Sequence, residues 1–319
     1  MTTTDVSART RVLKAFRHET PDRTPVDFGG MIFSCCEQKF LREMRAVFGF
    51  DRPHDRDEWN RWVWVDEQIM KALDVDLRWV PHEPPLVQMR DWYPERVEEA
   101  AARQAALRRD KQGQTSSVQQ EFPYRELTLD EIRAIEPDRK PPNPYLDWMI
   151  DTAKAYRADG YPTTAFAFGG FFEMACWKRG YDQIAMDMAL EPDLVRAMFD
   201  TWLEEKKHLT ETYIKPLAPY IDIFVFGDDL GMQSGPFMSP PMFRDLIKPY
   251  MQETYDAVHA AAPEALIMHH SCGSIYALLD DLIEVGIDVM NPTQPNAKDM
   301  TPRQLKERSG GRIAFHGGM

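Results

Sequence analysis

The chain has 319 residues, with 38 lysines and arginines against 51 aspartates and glutamates, and a formal net charge of −13 at pH 7. This acidic excess repels phosphate backbones and anionic lipid, so we predict no nucleic-acid and no membrane partner. The N-terminal segment lacks the apolar stretch of a secretory signal, and no window approaches the roughly 18 apolar residues of a bilayer span.

The cysteines are few and irregularly spaced: Cys35, Cys36, Cys176 and Cys272. A secreted disulfide framework normally contains a larger and more regular set, so this pattern favours a reducing, cytoplasmic location. Adjacent cysteines rarely pair with each other because the resulting geometry is strained. We therefore expect Cys35 and Cys36 to be packing residues.

The first eighty residues show alternating element types. Apolar spacing and turn residues predict helices over 11–19, 40–48 and 66–73, and strands over 24–30 and 76–80. The first strand runs into Gly29–Gly30, and Asp27 lies just before these glycines. Asp27 is therefore a candidate substrate-binding residue at the end of the first strand.

Residues 84–142 interrupt this order. Prolines stand at both ends of the segment, and its middle is highly charged. Residues 98–109 have helical propensity, whereas Asp110–Gln114 resembles the turn of a hairpin. We favour a hairpin-like flap inserted in the fold.

After Pro144 the alternation becomes regular. Helices are predicted over 145–158, 172–189, 192–213, 241–261, 275–285 and 301–308, and strands over 163–168, 221–226, 265–269, 287–291 and 312–316. Strands that alternate with helices favour parallel pairing through right-handed crossovers. The pattern predicts a single-domain TIM (β/α)8 barrel over residues 1–319. Only seven strands are counted, so we expect a barrel truncated after the seventh strand, without its last βα unit.

A parallel barrel collects its active site at the carboxyl ends of its strands, and one such end reads His269-His-Ser-Cys-Gly273. His270 and Cys272 are two positions apart, so in an extended segment their side chains share a face. Imidazole and thiolate are good zinc ligands, but catalytic zinc usually has three protein ligands. From the motif alone, a structural histidine and a buried free thiol explain the segment as well.

Three other strand ends carry polar residues. Asp228 and Asp229 follow the strand over 221–226 and suit proton transfer or metal support, although one of them is equally explained as a helix cap. Asn291 and Gln294 would hydrogen-bond a polar substrate, unless the prolines around them simply form a turn. His316 is a candidate acid, base or metal ligand, or only a residue that caps a loop.

Several other features have ordinary explanations. Trp177 and Met186 lie at helical spacing and are expected in the core. The run Glu204–Lys207 is expected to be a solvated helix face. Gly169–Gly170 lacks the G-x-G-x-x-G spacing of a dinucleotide-binding loop.

Three stretches together resemble the uroporphyrinogen decarboxylase superfamily. They are Arg11-Val-Leu-Lys-Ala-Phe-Arg-His-Glu-x-Pro-Asp-Arg-x-Pro-Val26, Asp228-Asp-Leu-Gly-x-Gln233 with the later Ser239-Pro and Phe243-Arg, and His270-Ser-Cys-Gly273 with Leu282-Ile-Glu-x-Gly286, Asn291-Pro and Phe315-His-Gly-Gly318. The resemblance extends over nearly the whole chain outside residues 84–142. It adds Gln233 to the candidate substrate-binding residues and implies one further βα unit.

The superfamily includes two chemistries. Its tetrapyrrole decarboxylases carry an Arg-Gln-Ala-Gly-Arg motif after the first strand, whereas this chain reads Asp27-Phe-Gly-Gly-Met-Ile-Phe33. Arginine is the natural clamp for substrate carboxylates, so its absence argues against that reaction. The other branch is similar to corrinoid-dependent methyltransferases, which bind zinc through a His-x-Cys pair and a later cysteine. The resemblance implies zinc at His270 and Cys272, with the third ligand after Met319.

The resemblance therefore implies zinc-dependent transfer of a methyl group between a small methylated substrate or thiol and a corrinoid protein. Asp228, Asp229 and His316 are the expected catalytic residues. Besides the small-molecule substrate, the expected partners are that corrinoid protein and further copies of the chain in a homo-oligomer. Two alternatives remain open: decarboxylation of uroporphyrinogen or another acid, and an inactive or partner-dependent barrel fragment.

Overall fold

The structure is a computed structural model that describes residues 6–50, 62–63, 65–84 and 122–318. The chain divides into two compact units, one formed by 1–13, 21–120 and 144–165 and the other by 14–20, 121–143 and 166–319. The expectation of a single domain stays a prediction. The predicted helix over 98–109, the turn at 110–114 and most of the predicted flap lie outside the described residues.

The described elements alternate between helices and strands over most of the chain. The helices are α1 (Ala8–Phe16), α2 (Gln38–Phe48), α3 (Glu67–Ala72), α4 (Leu129–Arg133), α5 (Leu146–Ala158), α6 (Phe171–Arg179), α7 (Tyr181–Leu190), α8 (Pro192–Leu209), α9 (Lys215–Leu217), α10 (Pro240–Leu246), α11 (Lys248–Ala261), α12 (Leu279–Glu284) and α13 (Pro302–Ser309). The strands are β1 (Cys36–Glu37), β2 (Trp62–Val63), β3 (Arg78–Trp79), β4 (Thr163–Gly169), β5 (Ile223–Gly227), β6 (Gly231–Met232), β7 (Gly235–Pro236), β8 (Leu266–His270), β9 (Val289–Asn291) and β10 (Ala314–Phe315). Single 3-10 turns cover Ile32–Ser34 and Tyr276–Leu278, and a π turn at Thr210–Ile214 joins α8 to α9.

Six of these strands form a parallel sheet in the order β10-β9-β8-β5-β4-β3, within the described part of the chain. Strand β4 begins in the first unit, where it pairs with β3, and ends in the second unit. Strands β5, β8, β9 and β10 belong to the second unit and pair in parallel along this order. The fold is therefore an α/β fold with a parallel sheet. Closure into an eight-stranded barrel stays a prediction, as does truncation after the seventh strand.

One predicted strand is wrong. Residues 24–30 form no strand, although the backbone N–H of Asp76 donates to the carbonyl of Val26 at 2.8 Å. The N–H of Val26 donates instead to the side-chain carboxylate of Asp76, also at 2.8 Å. Because a side chain satisfies this donor, the segment makes no ladder.

Two predicted helices are each split in two. The helix expected over 172–189 breaks at Gly180, which adopts a φ of 91° and separates α6 from α7. The helix expected over 241–261 breaks at Ile247, where φ is −112°, before Pro249 in the first turn of α11. In both places a backbone feature that apolar periodicity does not report ends the helix.

The first unit has its own apolar cluster. Cys36, Leu41, Val65, Ile69, Met70 and Val75 are buried together, with Phe28, Met44, Phe50 and Leu73 packed against them. Burial raises the pKa of Cys36 to about 11, which agrees with a packing role. Asp76, which is 1% exposed, accepts from Arg11 and Arg23 at 2.7 Å each, so its buried charge is compensated.

Two expectations about helix faces are wrong. Trp177 and Met186, expected in the core, are 50% and 47% exposed. Lys206 lies in the run expected to be a solvated face, but only 4% of it is exposed. Its ammonium group donates to the Gly169 carbonyl and lies 4.8 Å from the ring centroids of Phe168 and Phe171. Glu204, in the same run, does face solvent, as expected.

The junction between β4 and α6 is built around a buried carboxylate. Asp228, 1% exposed, accepts from the backbone N–H groups of Phe171, Phe172 and Glu173 at 3.0, 3.1 and 2.7 Å. These are free donors of the first helical turn, and the helix dipole favours a negative charge there. A Cβ at Gly170 would overlap this carboxylate, so the approach requires glycine.

No helix among the described residues has the length and apolarity needed to cross a bilayer. None of the four cysteines, all of which lie in the described residues, forms a disulfide bond.

We predict that Gly170→Ala lowers the free energy of unfolding by roughly 2–4 kcal/mol, because the methyl group displaces Asp228 from three charge-assisted hydrogen bonds. Urea unfolding followed by circular dichroism measures the effect. Gly169→Ala is the matched control, since its Cβ would meet nothing closer than the Gly227 carbonyl oxygen at 3.9 Å. The control should stay within about 1 kcal/mol of the wild type. Equal stability of the two variants would contradict the role given to the Gly170–Asp228 packing.

Candidate metal centre at the strand ends

The register of the parallel strands places four chain segments side by side. Gly227 of β5 is opposite His270 of β8, and His270 is opposite Asn291 of β9. The backbone N–H of His316, which follows β10, donates to the Met290 carbonyl at 2.9 Å. Residues at or just after the ends of these strands therefore meet in one place, as in other parallel α/β proteins.

Three potential metal ligands converge there. The Sγ atom of Cys272 lies 3.5 Å from Nε2 of His270, and Oδ1 of Asp229 lies 3.7 Å from the same nitrogen. The donor atoms of all three residues lie within 4.8 Å of one another. In tetrahedral zinc geometry, bonds of about 2.0 and 2.3 Å put an imidazole nitrogen about 3.5 Å from a thiolate sulfur. The observed separation of His270 and Cys272 therefore fits a shared ion.

His270 has its other ring nitrogen engaged. Its Nδ1 lies 2.6 Å from Oδ1 of Asn291, and Nδ2 of Asn291 lies 2.7 Å from Nδ1 of His316. A carboxamide oxygen only accepts, so Nδ1 of His270 carries the proton and the electron pair of Nε2 faces the Cys272 thiol. Burial lowers the pKa of His270, which favours this neutral form. A ligating histidine normally has such a partner on its second nitrogen.

The thiol of Cys272 lies in a loop that is held by side chains. Its backbone N–H donates to Oδ1 of Asp229 at 2.8 Å, and the N–H of Gly273 donates to Oε1 of Gln294 at 2.7 Å. Burial, and next the charge of Asp229, raise the pKa of Cys272 to about 11. A bound divalent cation would reverse this effect, because coordination deprotonates a thiol.

A short hairpin lies directly on this loop. Strands β6 and β7 pair antiparallel, and Met232 forms an isolated bridge with Ser274. A Cβ at Gly231 would lie 2.5 Å from the carbonyl oxygen of Cys272, and one at Gly273 would lie 2.5 Å from the carbonyl carbon of Gly231. The two backbones approach so closely that both positions require glycine. This hairpin was not predicted from the sequence.

Glu173 adds a further carboxyl group, and sequence reasoning missed it. It lies in the first turn of α6, and its backbone N–H is held by Asp228. Burial, followed by the charges of Asp229 and Asp228, raises the pKa of Glu173 to about 7. The sequence feature that could have indicated Glu173 as a site residue is its position three residues after Gly170, at the end of a buried strand.

The two adjacent aspartates have different surroundings. Asp228 is directed inward to the start of α6, and burial raises its pKa to about 6 against the opposing effects of the backbone donors and Lys206. Asp229 is directed to His270 and Cys272, with 36% of its side chain exposed. In this arrangement Asp228 holds Glu173 in place, while Asp229 faces the metal donors.

The remaining predicted site residues have local hydrogen-bond partners. The side chain of Gln233 donates to the Asn296 carbonyl and is exposed. Asp27 belongs to the first unit, and its Oδ1 accepts from the Gly30 backbone N–H at 2.8 Å. Asn291 and Gln294, expected to bind substrate, each contact the segment that holds His270 and Cys272. Their binding of substrate stays a prediction.

A family model described as uroporphyrinogen decarboxylase (URO-D) matches residues 113–317, which is more than half of the chain. The chain belongs to the uroporphyrinogen decarboxylase family. Among solved structures, this family member is similar to a methyltransferase from Methanosarcina mazei, with a TM-score of 0.52 and 14% identity over 98% of this chain and 82% of that chain. At this identity the similarity shows a shared fold alone. No curated protein sequence matches the chain.

We predict a pH-dependent stability effect of Glu173 in metal-free protein. The folded state raises its pKa from 4.5 to about 7, so the native chain retains a proton that the unfolded chain loses, and stability falls as the pH rises through this window. The neutral isostere in Glu173→Gln avoids this loss. It should be more stable than the wild type at pH 8 by about 1–2 kcal/mol, allowing for solvent screening, and should gain nothing at pH 4.

Urea titrations at both pH values test this prediction. Glu307→Gln changes an exposed glutamate on α13 and serves as the control, with no pH-dependent gain expected. A Glu173→Gln variant whose stability follows the wild type at both pH values would contradict the raised pKa.

Proposed function

We propose that this member of the uroporphyrinogen decarboxylase family is a zinc-dependent methyltransferase. It would move a methyl group between a small methylated substrate or thiol and a corrinoid carried by a partner protein. The observation that supports this proposal is the convergence of Nε2 of His270, Sγ of Cys272 and Oδ1 of Asp229 within 4.8 Å. The reduced state of the four cysteines fits the reducing, cytoplasmic location that we infer for it.

The chemistry of these donors fits zinc. An imidazole, a thiolate and a carboxylate together are softer than the all-oxygen sites preferred by magnesium and calcium. Three protein ligands leave a fourth position for a substrate atom, as in catalytic zinc sites. Asp229 is the third ligand that we propose, whereas the resemblance to methyltransferases implies a later cysteine.

Several residues of the chain would have separate roles in this reaction. When bound, zinc would supply a positive charge that stabilises a thiolate or polarises a methyl–oxygen bond. Asn291 orients His270, and Asp229 holds the backbone of Cys272. Glu173 retains a proton near neutral pH beside Asp229. It is therefore suited to exchange a proton with a methylated or demethylated heteroatom.

The decarboxylase alternative is less well supported. A tetrapyrrole decarboxylase must hold several substrate carboxylates, which requires cationic side chains. The strand ends instead present the carboxyl groups of Asp229 and Glu173, whereas Asp228 and the cationic Lys206 are buried. A polyanionic substrate would be repelled by this arrangement.

We predict about one zinc ion per chain and zinc-dependent methyl transfer to a free corrinoid. Purified protein would be mixed with reduced cobalamin and, in turn, methanol, an aryl methyl ether, a methylamine or a methyl thioether. Formation of methylcobalamin is followed by absorbance, and metal content by mass spectrometry. The reverse reaction uses methylcobalamin with a thiol acceptor. Stripping the metal should abolish the rate, and adding zinc should restore it.

Variants connect this activity to the site. Cys272→Ala and His270→Ala should retain little zinc and have no rate above background, whereas Cys35→Ser, in the other unit, should behave like the wild type. Zinc-free protein that releases CO₂ from uroporphyrinogen would overturn the proposal in favour of the decarboxylase. Full zinc loading of Cys272→Ala would show that the metal binds elsewhere.

A further inference from the structure

We propose that Asn291 and His316 are positioning residues that fix the tautomer of His270 and thereby its affinity for a divalent metal ion. The proposal deepens the proposed function and rests on it for the metal, although its first test uses metal-free protein. It starts from a row of three side chains on neighbouring strand ends. His270 contacts Asn291 at 2.6 Å, and Asn291 contacts His316 at 2.7 Å.

The carboxamide of Asn291 makes this row directional. One end of an amide only accepts hydrogen bonds and the other only donates them. When Nδ2 donates to Nδ1 of His316, Oδ1 must face His270 and accept a proton from its Nδ1. A neutral imidazole protonated at Nδ1 binds a metal only through Nε2. That nitrogen is the one that faces Cys272 at 3.5 Å and Asp229 at 3.7 Å.

The opposite orientation of the amide would disable the site. A flipped Asn291 presents its N–H group to Nδ1 of His270, which then has to accept and moves its proton to Nε2. An Nε2 that carries a proton has no electron pair for a metal. The position of the Asn291 amide therefore decides between a competent and an incompetent ligand.

His316 holds the Asn291 amide in the orientation that allows Nε2 of His270 to bind a metal ion. The backbone of Asn291 is fixed, because its Cα is in register with His270 and its carbonyl accepts from the Ser271 N–H at 2.8 Å. Asn291 is only 4% exposed, so water has little access to its amide. The ring of His316 lies 6.4 Å from that of Phe16, and its backbone N–H is bound to Met290. With both neighbours anchored, an electron pair on Nδ1 of His316 holds the amide in one orientation.

Nitrogen-15 NMR of labelled histidine rings in the metal-free protein reports the tautomer directly. We expect the wild type to show His270 protonated at Nδ1. His316→Leu should yield a mixture of both His270 tautomers and lower the zinc affinity by about 10–100-fold, measured by competition with a chromophoric chelator. His316→Gln retains an acceptor for the Asn291 N–H group and should rescue both properties.

A second variant separates positioning from folding. Asn291→Asp offers only acceptor oxygens, so His270 should stay protonated at Nδ1 while His316 changes to the Nδ1-protonated form. His259→Gln, on α11, is the control, because Nε2 of His259 pairs with the Gly286 carbonyl. It should alter neither the His270 tautomer nor the zinc affinity.

The outcomes are distinct. Unchanged His270 tautomer and zinc affinity in His316→Leu would overturn the inference, as would an Nε2-protonated His270 in Asn291→Asp. Protein that binds zinc with the expected dependence on His316 and transfers no methyl group would support the inference and refute the proposed function.

Discussion

The register of parallel strands is the constraint on which the candidate metal centre depends. Gly227 is aligned with His270, and His270 with Asn291, so three chain segments end at the same level. A shift of one residue in β8 would turn His270 and Cys272 to the opposite face, because side chains alternate along a strand. The fully buried residues of β5 oppose such a shift. The apolar interior thus determines which polar atoms meet at the strand ends.

Compensation of buried charge is the second requirement, and it concerns Asp228 and Lys206, which lie in the interior next to the metal donors. Asp228 would be costly to bury alone, but three backbone N–H groups and the nearby charge of Lys206 reduce that cost. Burial still raises the pKa of Asp228 and lowers that of Lys206 to about 8. Ionising both groups therefore costs stability. Such a cost is commonly found where polar groups are retained for function.

The main features of the fold could be predicted from the sequence. Strands β4, β5, β8 and β9 are short apolar runs followed by glycine or polar residues, and the structure contains all four. The grouping of His270 and Cys272 also follows from local spacing, because residues two apart in an extended segment share a face. The additional approach of Asp229 depends on pairing between β5 and β8, which the alternation of strands and helices only suggests.

Other features depend on contacts between distant residues. The predicted first strand failed because the partner of the Val26 N–H group is a carboxylate fifty residues later. Lys206 resembles its solvated neighbours in sequence, and only the packing of α8 reveals its burial. Glu173 resembles an ordinary acidic residue in a first helical turn. Its raised pKa comes from burial and from two aspartates on another strand end.

The close approach of Gly231 and Gly273 has a consequence for how the protein can vary. A methyl group at Gly231 would collide with the backbone of the Cys272–Gly273 segment, and one at Gly273 would collide with the backbone of Gly231. A larger residue at either position therefore cannot be compensated by a substitution at the other. The turn residues Gln233 and Ser234, by contrast, are exposed. Substitutions that arise in this hairpin, by natural drift or in a laboratory library, should therefore be found at the turn residues Gln233 and Ser234. They should be absent from Gly231, which lies against the segment that contains Cys272.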